Sequence, residues 1–136
     1  MKKKLTLGVG LIFLFAISAF AEDDHSIDLK EARCIEADSS TAGMANCTKQ
    51  AEVEWDQELN KYYGLLIKSL NKEQAELLRQ AQRAWLEYRD KEIKNISTFF
   101  SSKAGTMWIP IRAAHYNDLV KQRALELKNY YDLLKY

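Results

Sequence analysis

WDQELNKYYGLLIKSLNKEQAELLRQAQRAWLEYRDKEI, residues 55–93, reads as two amphipathic helices joined by one tight turn. On the first, Trp55, Leu59, Tyr62, Leu66 and Leu70 recur at steps of three or four, which sets them on one helical face. Leu78, Ala81, Trp85, Tyr88 and then Ile96 form the matching stripe on the second. Between them Asn71, followed three residues later by Gln74, has the form of a capping box that starts a new helix. So short a connection makes the two helices antiparallel, and their apolar faces are expected to bury against each other.

Polar residues are threaded into this apolar face. Gln82, Trp85 and Arg89 lie at i, i+3 and i+7 and therefore point the same way. With the turn near Asn71, positions summing to roughly 142 face each other. That register sets Asn60 opposite Gln82, and Arg89 near Glu52 or Asp56. The structural reading is a buried amide pair and one ion pair that fix the register.

Outward from this hairpin the signals stay helical. Ser26 reads as the N-cap of a short first helix ending near Ala37, with Asp28 and Glu31 in its opening turn. Asp38, Ser39, Ser40 and Thr41 supply a polar turn, and Ser40 or Thr41 can cap a long helix running from about Ala42 to Leu70. The third helix is expected from about Lys72 to Phe100, ended by SSKAGTM with Gly105 able to take a positive φ. Pro110, tolerated in a first turn, opens the last helix, whose stripe includes Ala113, Tyr116, Leu119, Val120, Ala124 and Leu127. No sustained period-two run occurs. The expected fold is all-α: an antiparallel bundle of three long helices plus a short N-terminal one.

Residues 1–21 have the form of a secretory signal peptide, with a basic Lys2-Lys3-Lys4, an apolar run from Leu5 to Ile17 and a small-x-small cleavage site at Ala19-Phe20-Ala21. The run is too short for a spanning helix, so no membrane span is expected after its removal, and the periplasm is the expected address. Removing 21 of the 136 residues leaves 115, read as a single domain over 22–136. In an oxidising compartment Cys34 and Cys47, which flank a turn, are most simply a structural disulfide. Closing that loop is worth about 3 kcal/mol in the chain-entropy model. A redox pair would want C-x-x-C, and a zinc site more ligands, so no metal or cofactor is expected.

The formal charge of +1 hides an asymmetry. Residues 22–60 carry 11 acidic and 3 basic side chains, residues 61–136 carry 8 and 14. One reading is helix faces whose charges interleave on folding. The other is an acidic docking surface for a cationic partner. No basic excess supports nucleic-acid binding. There is no glycine-rich phosphate loop, and no serine at a strand-to-helix elbow to pair with His115, which reads as a packed histidine. His25 reads as an exposed tail residue. Nothing here marks an enzyme.

The order Cys34…Met44-Ala45-Asn46-Cys47…Leu59-Asn60…Tyr63…Leu77…Ala81-Gln82-Arg83-Ala84-Trp85-Leu86…Tyr88-Arg89-Asp90…Arg123-Ala124…Leu127 resembles the LprI-type lysozyme inhibitor, N-terminal domain family. AQRAWLEYRD is its most specific part. The resemblance implies a small secreted helical protein that inhibits lysozyme, and it marks Asn60, Tyr63, Gln82, Trp85, Tyr88, Arg89 and Asp90 as motif positions. A second cysteine pair common in the family is replaced here by Ile93 and His115. The expected function is therefore an exported, non-enzymatic binding protein that blocks the sugar cleft of a lysozyme-type muramidase. The alternative is a periplasmic structural or adaptor module for another envelope component. Chemistry points to Asp38, Ser39 and Ser40, and to Trp108 in the loop before the last helix, as partner contacts.

Overall fold

The computed structural model describes residues 25–136, so the segment 1–21 read as an export signal lies outside the described residues. Four helices follow one another: α1 (Ser26–Ala37), α2 (Thr41–Ser69), α3 (Lys72–Ser101) and α4 (Trp108–Leu133). There is no strand among the described residues. The fold is an all-α bundle.

Local chemistry sets each boundary. The cap of α1 is His25 rather than Ser26: its backbone is extended and its Nδ1 accepts the N–H of Ile27 at 3.3 Å. The same imidazole lies 4.4 Å from the ring of Trp55, so it is an anchored, half-buried group and not a free tail residue. Between α1 and α2, Asp38 Oδ1 accepts the N–H of Ser40, and Ser40 Oγ accepts that of Gly43, which starts α2. Without a Cβ, Gly43 leaves room for the Asp38 carboxyl group to fold over the start of α2; a Cβ there would come within 2.1 Å of its carbon and displace that side chain. At the next corner the capping box closes reciprocally, with Gln74 N–H donating to Asn71 Oδ1 at 2.9 Å and Asn71 N–H to Gln74 Oε1 at 3.3 Å. Gly105 takes φ 98° in the turn before α4, and Pro110 is the third residue of that helix, where its missing N–H has no intrahelical acceptor to lose.

The core corrects one expectation. The principal interface is between α2 and α4, not between α2 and α3. Trp55, Leu59 and Leu66 of α2 close on Val120, Ala124 and Leu127 of α4, with Ile27 of α1 sealing one end. From α3 only Leu78 and Trp85 join this cluster, and both are half-buried. The reason is composition. Trp55, Leu59 and Leu66 of α2 and Val120 and Leu127 of α4 supply large buried apolar side chains to one seam, and Ala124 at 1% exposure lets the backbones approach. The inner face of α3 instead carries Ala75 and Gln82 between its few large residues, so it cannot fill a seam along α2. It touches α2 little beyond the turn and leans on α4 through Phe100, whose ring lies 5.9 Å from Trp108 and 5.3 Å from His115. His115 itself is exposed, at the edge of that contact and not packed in the core.

The Cys34–Cys47 disulfide is formed, with a Cα–Cα distance of 5.7 Å. It ties α1 to α2, while Lys121–Asp28 at 2.9 Å and Asn117–Glu31 at 3.4 Å tie α1 to α4.

Trp55, at 1% exposure, should cost about 3–5 kcal/mol when replaced by Ala, as fully buried aromatics do. Trp85→Ala should cost clearly less, since one side of its ring is open; denaturant midpoints of the two variants that came out equal would refute the placement of α3. Reduction of Cys34–Cys47 should lower stability by up to about 3 kcal/mol while far-UV helicity is kept in the cold, because the α2–α4 seam does not include it. Loss of helicity on reduction alone would show that seam to be weaker than its burial implies.

Candidate functional site

Because α3 stands off from α2, an open cleft of about 420 Å³ separates them. Asp56, Leu59, Asn60 and Tyr63 form the α2 side. The α3 side is Arg79, Gln82, Arg83, Trp85, Leu86 and Arg89. Their spacing explains the grouping, since steps of three and four on two antiparallel helices bring one face of each to the same gap.

The expected pairings across the gap are not made. Asn60 is exposed, and its Nδ2 donates within its own helix, to the Asp56 backbone oxygen at 2.8 Å and to Asp56 Oδ2 at 3.0 Å. Arg89 bonds neither Glu52 nor Asp56 but its neighbour, donating from Nε and Nη2 to Asp90 Oδ1 at 3.1 and 2.8 Å. Gln82 is buried, yet its partner is Arg123 of α4, whose Nε donates to Gln82 Oε1 at 3.0 Å. The facing register holds, but the separation is too wide for direct contact. The polar groups take partners on their own helix or behind it.

Arg123 is the residue the sequence reading did not assign a role. It is 8% exposed, directly beneath the cleft floor, with its guanidinium 6.0 Å from the Trp85 ring. Nη1 donates to Glu126 at 2.6 Å, and Nη2 has no partner among the described residues. Burial raises the Glu126 pKa, but hydrogen bonds from Arg123 and Tyr130 outweigh it and hold the carboxyl below its usual range. An arginine embedded in the apolar stripe of α4, beside Ala124, was the available signal: such a charge must find a buried acceptor.

Of the other motif residues, Tyr63, Trp85 and Arg89 are half-buried in the cleft, while Tyr88 and Asp90 are exposed and are not among its lining residues. The Arg89 guanidinium sits 5.5 Å from the Trp85 ring, close enough for a cation–π contact. Arg79 and Arg83 share a single carboxylate, Glu76, at 3.5 Å each. That shared pairing leaves the α3 wall with an excess of positive charge opposite Asp56.

The suggested contacts at Asp38, Ser39, Ser40 and Trp108 fall elsewhere, at the far end of the bundle. The α1–α2 turn is exposed there. Thr41 and Met44 from the start of α2 share an apolar hollow of about 460 Å³ with Met107, Pro110 and Ile111 at the start of α4. Trp108 is half-buried, its Nε1 donating to Ala104 O at 3.0 Å. Lys61–Glu58 and Lys121–Asp28 pair the acidic segment with the basic one, whereas Lys30–Glu54 and Lys49–Glu52 lie within the acidic segment. Glu36 and Asp38 have no ion-pair partner among the described residues. No group of three or more side chains suited to a metal occurs among the described residues. No helix there is long and apolar enough to cross a membrane.

Comparison with known proteins gives three results. The family model described as lysozyme inhibitor LprI matches residues 34–127. The chain is 33% identical over 115 residues to the uncharacterized protein YecT of Escherichia coli (strain K12), covering 71% of this chain and 69% of that one. A crystal structure of an uncharacterized protein from Burkholderia thailandensis is similar with a TM-score of 0.75 and 28% identity over 79% of this chain; the match spans 54% of that longer chain.

Gln82→Ala should destabilise the protein by at least about 2 kcal/mol, because it leaves a buried guanidinium N–H without an acceptor. The double variant Gln82→Leu/Arg123→Met should recover most of that loss. Equal stability of Gln82→Ala and the parent in urea would show that the pair is not the clamp its burial indicates.

Proposed function

Because the chain belongs to the lysozyme inhibitor LprI family, we propose that it is an exported, non-enzymatic inhibitor of a lysozyme-type muramidase, acting by occlusion of the sugar cleft. The family match over residues 34–127 is the observation that carries this reading. Muramidases of the lysozyme type hold two carboxylates on either side of the glycosidic bond in a groove that must admit the glycan. An inhibitor needs no chemistry of its own to stop such an enzyme. It needs a rigid, exposed element that fills the groove and a surround that excludes water.

The α1–α2 turn suits that task. Asp38, Ser39 and Ser40 are exposed, yet their backbone is held by the Asp38 and Ser40 caps and by the disulfide just behind them. A turn held in this way loses little conformational freedom on binding. Glu36 and Asp38 offer carboxylates to a cationic rim, and the neighbouring apolar hollow with Met107, itself 57% exposed, offers a dry anchor for a partner's side chain.

The expected result is saturable inhibition of cell-wall lysis when residues 22–136, oxidised, are titrated into hen-type or goose-type lysozyme, weakening as salt is raised. Ser39→Arg and Met107→Asp, both at exposed positions, should each reduce inhibition with little change in thermal midpoint. Lysis unchanged at concentrations on the order of tens of micromolar would overturn the proposal. A stoichiometric partner of another kind, recovered with the same turn protected, would point instead to the adaptor role.

A further inference from the structure

The α2–α3 cleft is not used by the occlusion reading, which works through the opposite end of the bundle. Its chemistry is specific. Arg79, Arg83 and Arg89 stand along one wall, Arg123 lies under the floor with an unpartnered Nη2 while more than nine-tenths buried, and the half-buried Trp85 lines the gap beside them. We propose that this cleft is a binding site for a small ligand carrying a carboxylate, gripped by the α3 arginines across the face of Trp85.

Arg89 is already paired with Asp90 at 2.8 Å, but the other two arginines of the wall are undersupplied with counter-charge. Arg79 and Arg83 divide one exposed carboxylate at 3.5 Å, beyond good hydrogen-bond length, so both guanidiniums can turn to an incoming anion. A guanidinium presents two parallel N–H groups that match the two oxygens of a carboxylate. The buried Arg123 is already ion-paired with Glu126 at 2.6 Å, so it holds the floor in place through Gln82 and adds no free charge to the cleft. The opposite wall narrows the ligand class further. Asp56 is the only carboxylate in the lining, with Asn60 bonded to one of its oxygens, and it leaves acceptor capacity facing the gap. That acceptor disfavours a multiply charged group such as a phosphate. It suits a single carboxylate borne on a frame with hydroxyl or amide N–H donors, which Asp56 can accept while Trp85 covers the frame's apolar face. The volume of about 420 Å³ falls in the range of small-molecule pockets. Two sources share this chemistry: a sugar acid and the acidic end of a peptide.

The experiment is a chemical-shift titration of the protein (residues 22–136), reading the Trp85 indole and arginine Nε signals. Four probes separate the outcomes: glucuronic acid against glucose, and N-acetylalanine against N-acetylalaninamide. Either acid should shift these signals with a Kd of about 1 mM or tighter, and its neutral counterpart should not. A response to glucuronic acid alone identifies a sugar-acid site, and one to N-acetylalanine alone a peptide-type site; either supports the proposal. Arg79→Gln and Arg83→Gln, at positions exposed enough to leave folding intact, should each weaken binding about tenfold or more, while Lys103→Gln at the other end of the bundle should not change it. Absence of any shift, equal response to acid and neutral probes, or inorganic phosphate binding as tightly as either acid would each overturn it. Inhibition of lysozyme is scored separately on the same variants, so its loss or survival leaves the result on the cleft unaffected.

Discussion

The seam between α2 and α4 is the constraint from which the rest of the molecule follows. Trp55, Leu59 and Leu66 meet Val120, Ala124 and Leu127 along two helices that run in the same direction. Helices that run in parallel cannot be joined by a short turn, so a third must carry the chain back between them. That return helix is α3, and its length is set by the span it has to cross, not by an apolar surface of its own. It is 30 residues long and buries only Ala75, Gln82, Ile96 and Phe100. Hydrophobic stabilisation scales with apolar area removed from water, so α2 and α4 supply the greater part of it. The return helix is attached at its ends and left open along one side.

That open side raises the question of what keeps α3 in a single position. Apolar contact is not specific enough, since a smooth partial interface can slide. The Gln82–Arg123 bond supplies the missing specificity. A buried guanidinium contributes little net stability compared with a well-packed apolar group, but it strongly disfavours every arrangement in which its acceptors are absent. Gln82 provides its acceptor only when α3 sits at the observed height on α4, whereas Glu126, on α4 itself, is present in every arrangement. The same bond sets the floor of the cleft, so the feature that fixes α3 also fixes where Trp85 and the α3 arginines stand.

Helix boundaries were legible because they rest on local chemistry. Asn71 with Gln74, Ser40, Gly105 and Pro110 each act within a few residues of themselves, and the structure has all of them where the sequence set them. What the sequence could not order was the choice of neighbour. Periodicity reveals that a helix has an apolar face, but α2, α3 and α4 all have one, and the shortest connection made α2 and α3 look like the obvious pair. The decision depended on how continuous each stripe is, and on a small residue, Ala124, that lets two backbones close. The site divided in the same way. Asn60, Gln82, Trp85 and Arg89 do share one cleft, as their spacing implied. Their partners were misread because a register argument assumes that facing residues touch. At the N-terminus His25 took the capping role ahead of Ser26 because the Trp55 ring, thirty residues away, holds the imidazole over the helix end.

The resemblance sets the family's second cysteine pair at Ile93 and His115, and the positions of these residues indicate what such a pair would do. On α3, residue 93 falls between Gln82 and Phe100; on α4, residue 115 falls between Trp108 and Arg123. A bridge there would fasten α3 to α4 midway between the two contacts that hold it in this chain. Without the bridge, the middle of α3 rests on the buried amide–guanidinium bond at one end and on stacked aromatic rings at the other. The first disulfide cannot substitute, because Cys34–Cys47 ties α1 to α2 and does not touch α3. The two ends of the molecule are therefore constrained differently: the α1–α2 turn is held covalently and by caps, whereas the wall of the cleft is held by the Gln82–Arg123 bond and the aromatic contacts of Phe100. A rigid turn suits insertion into a partner's groove, and a wall fixed at one height suits recognition of a small ligand. Both surfaces can coexist in so short a chain because the α2–α4 seam separates their constraints.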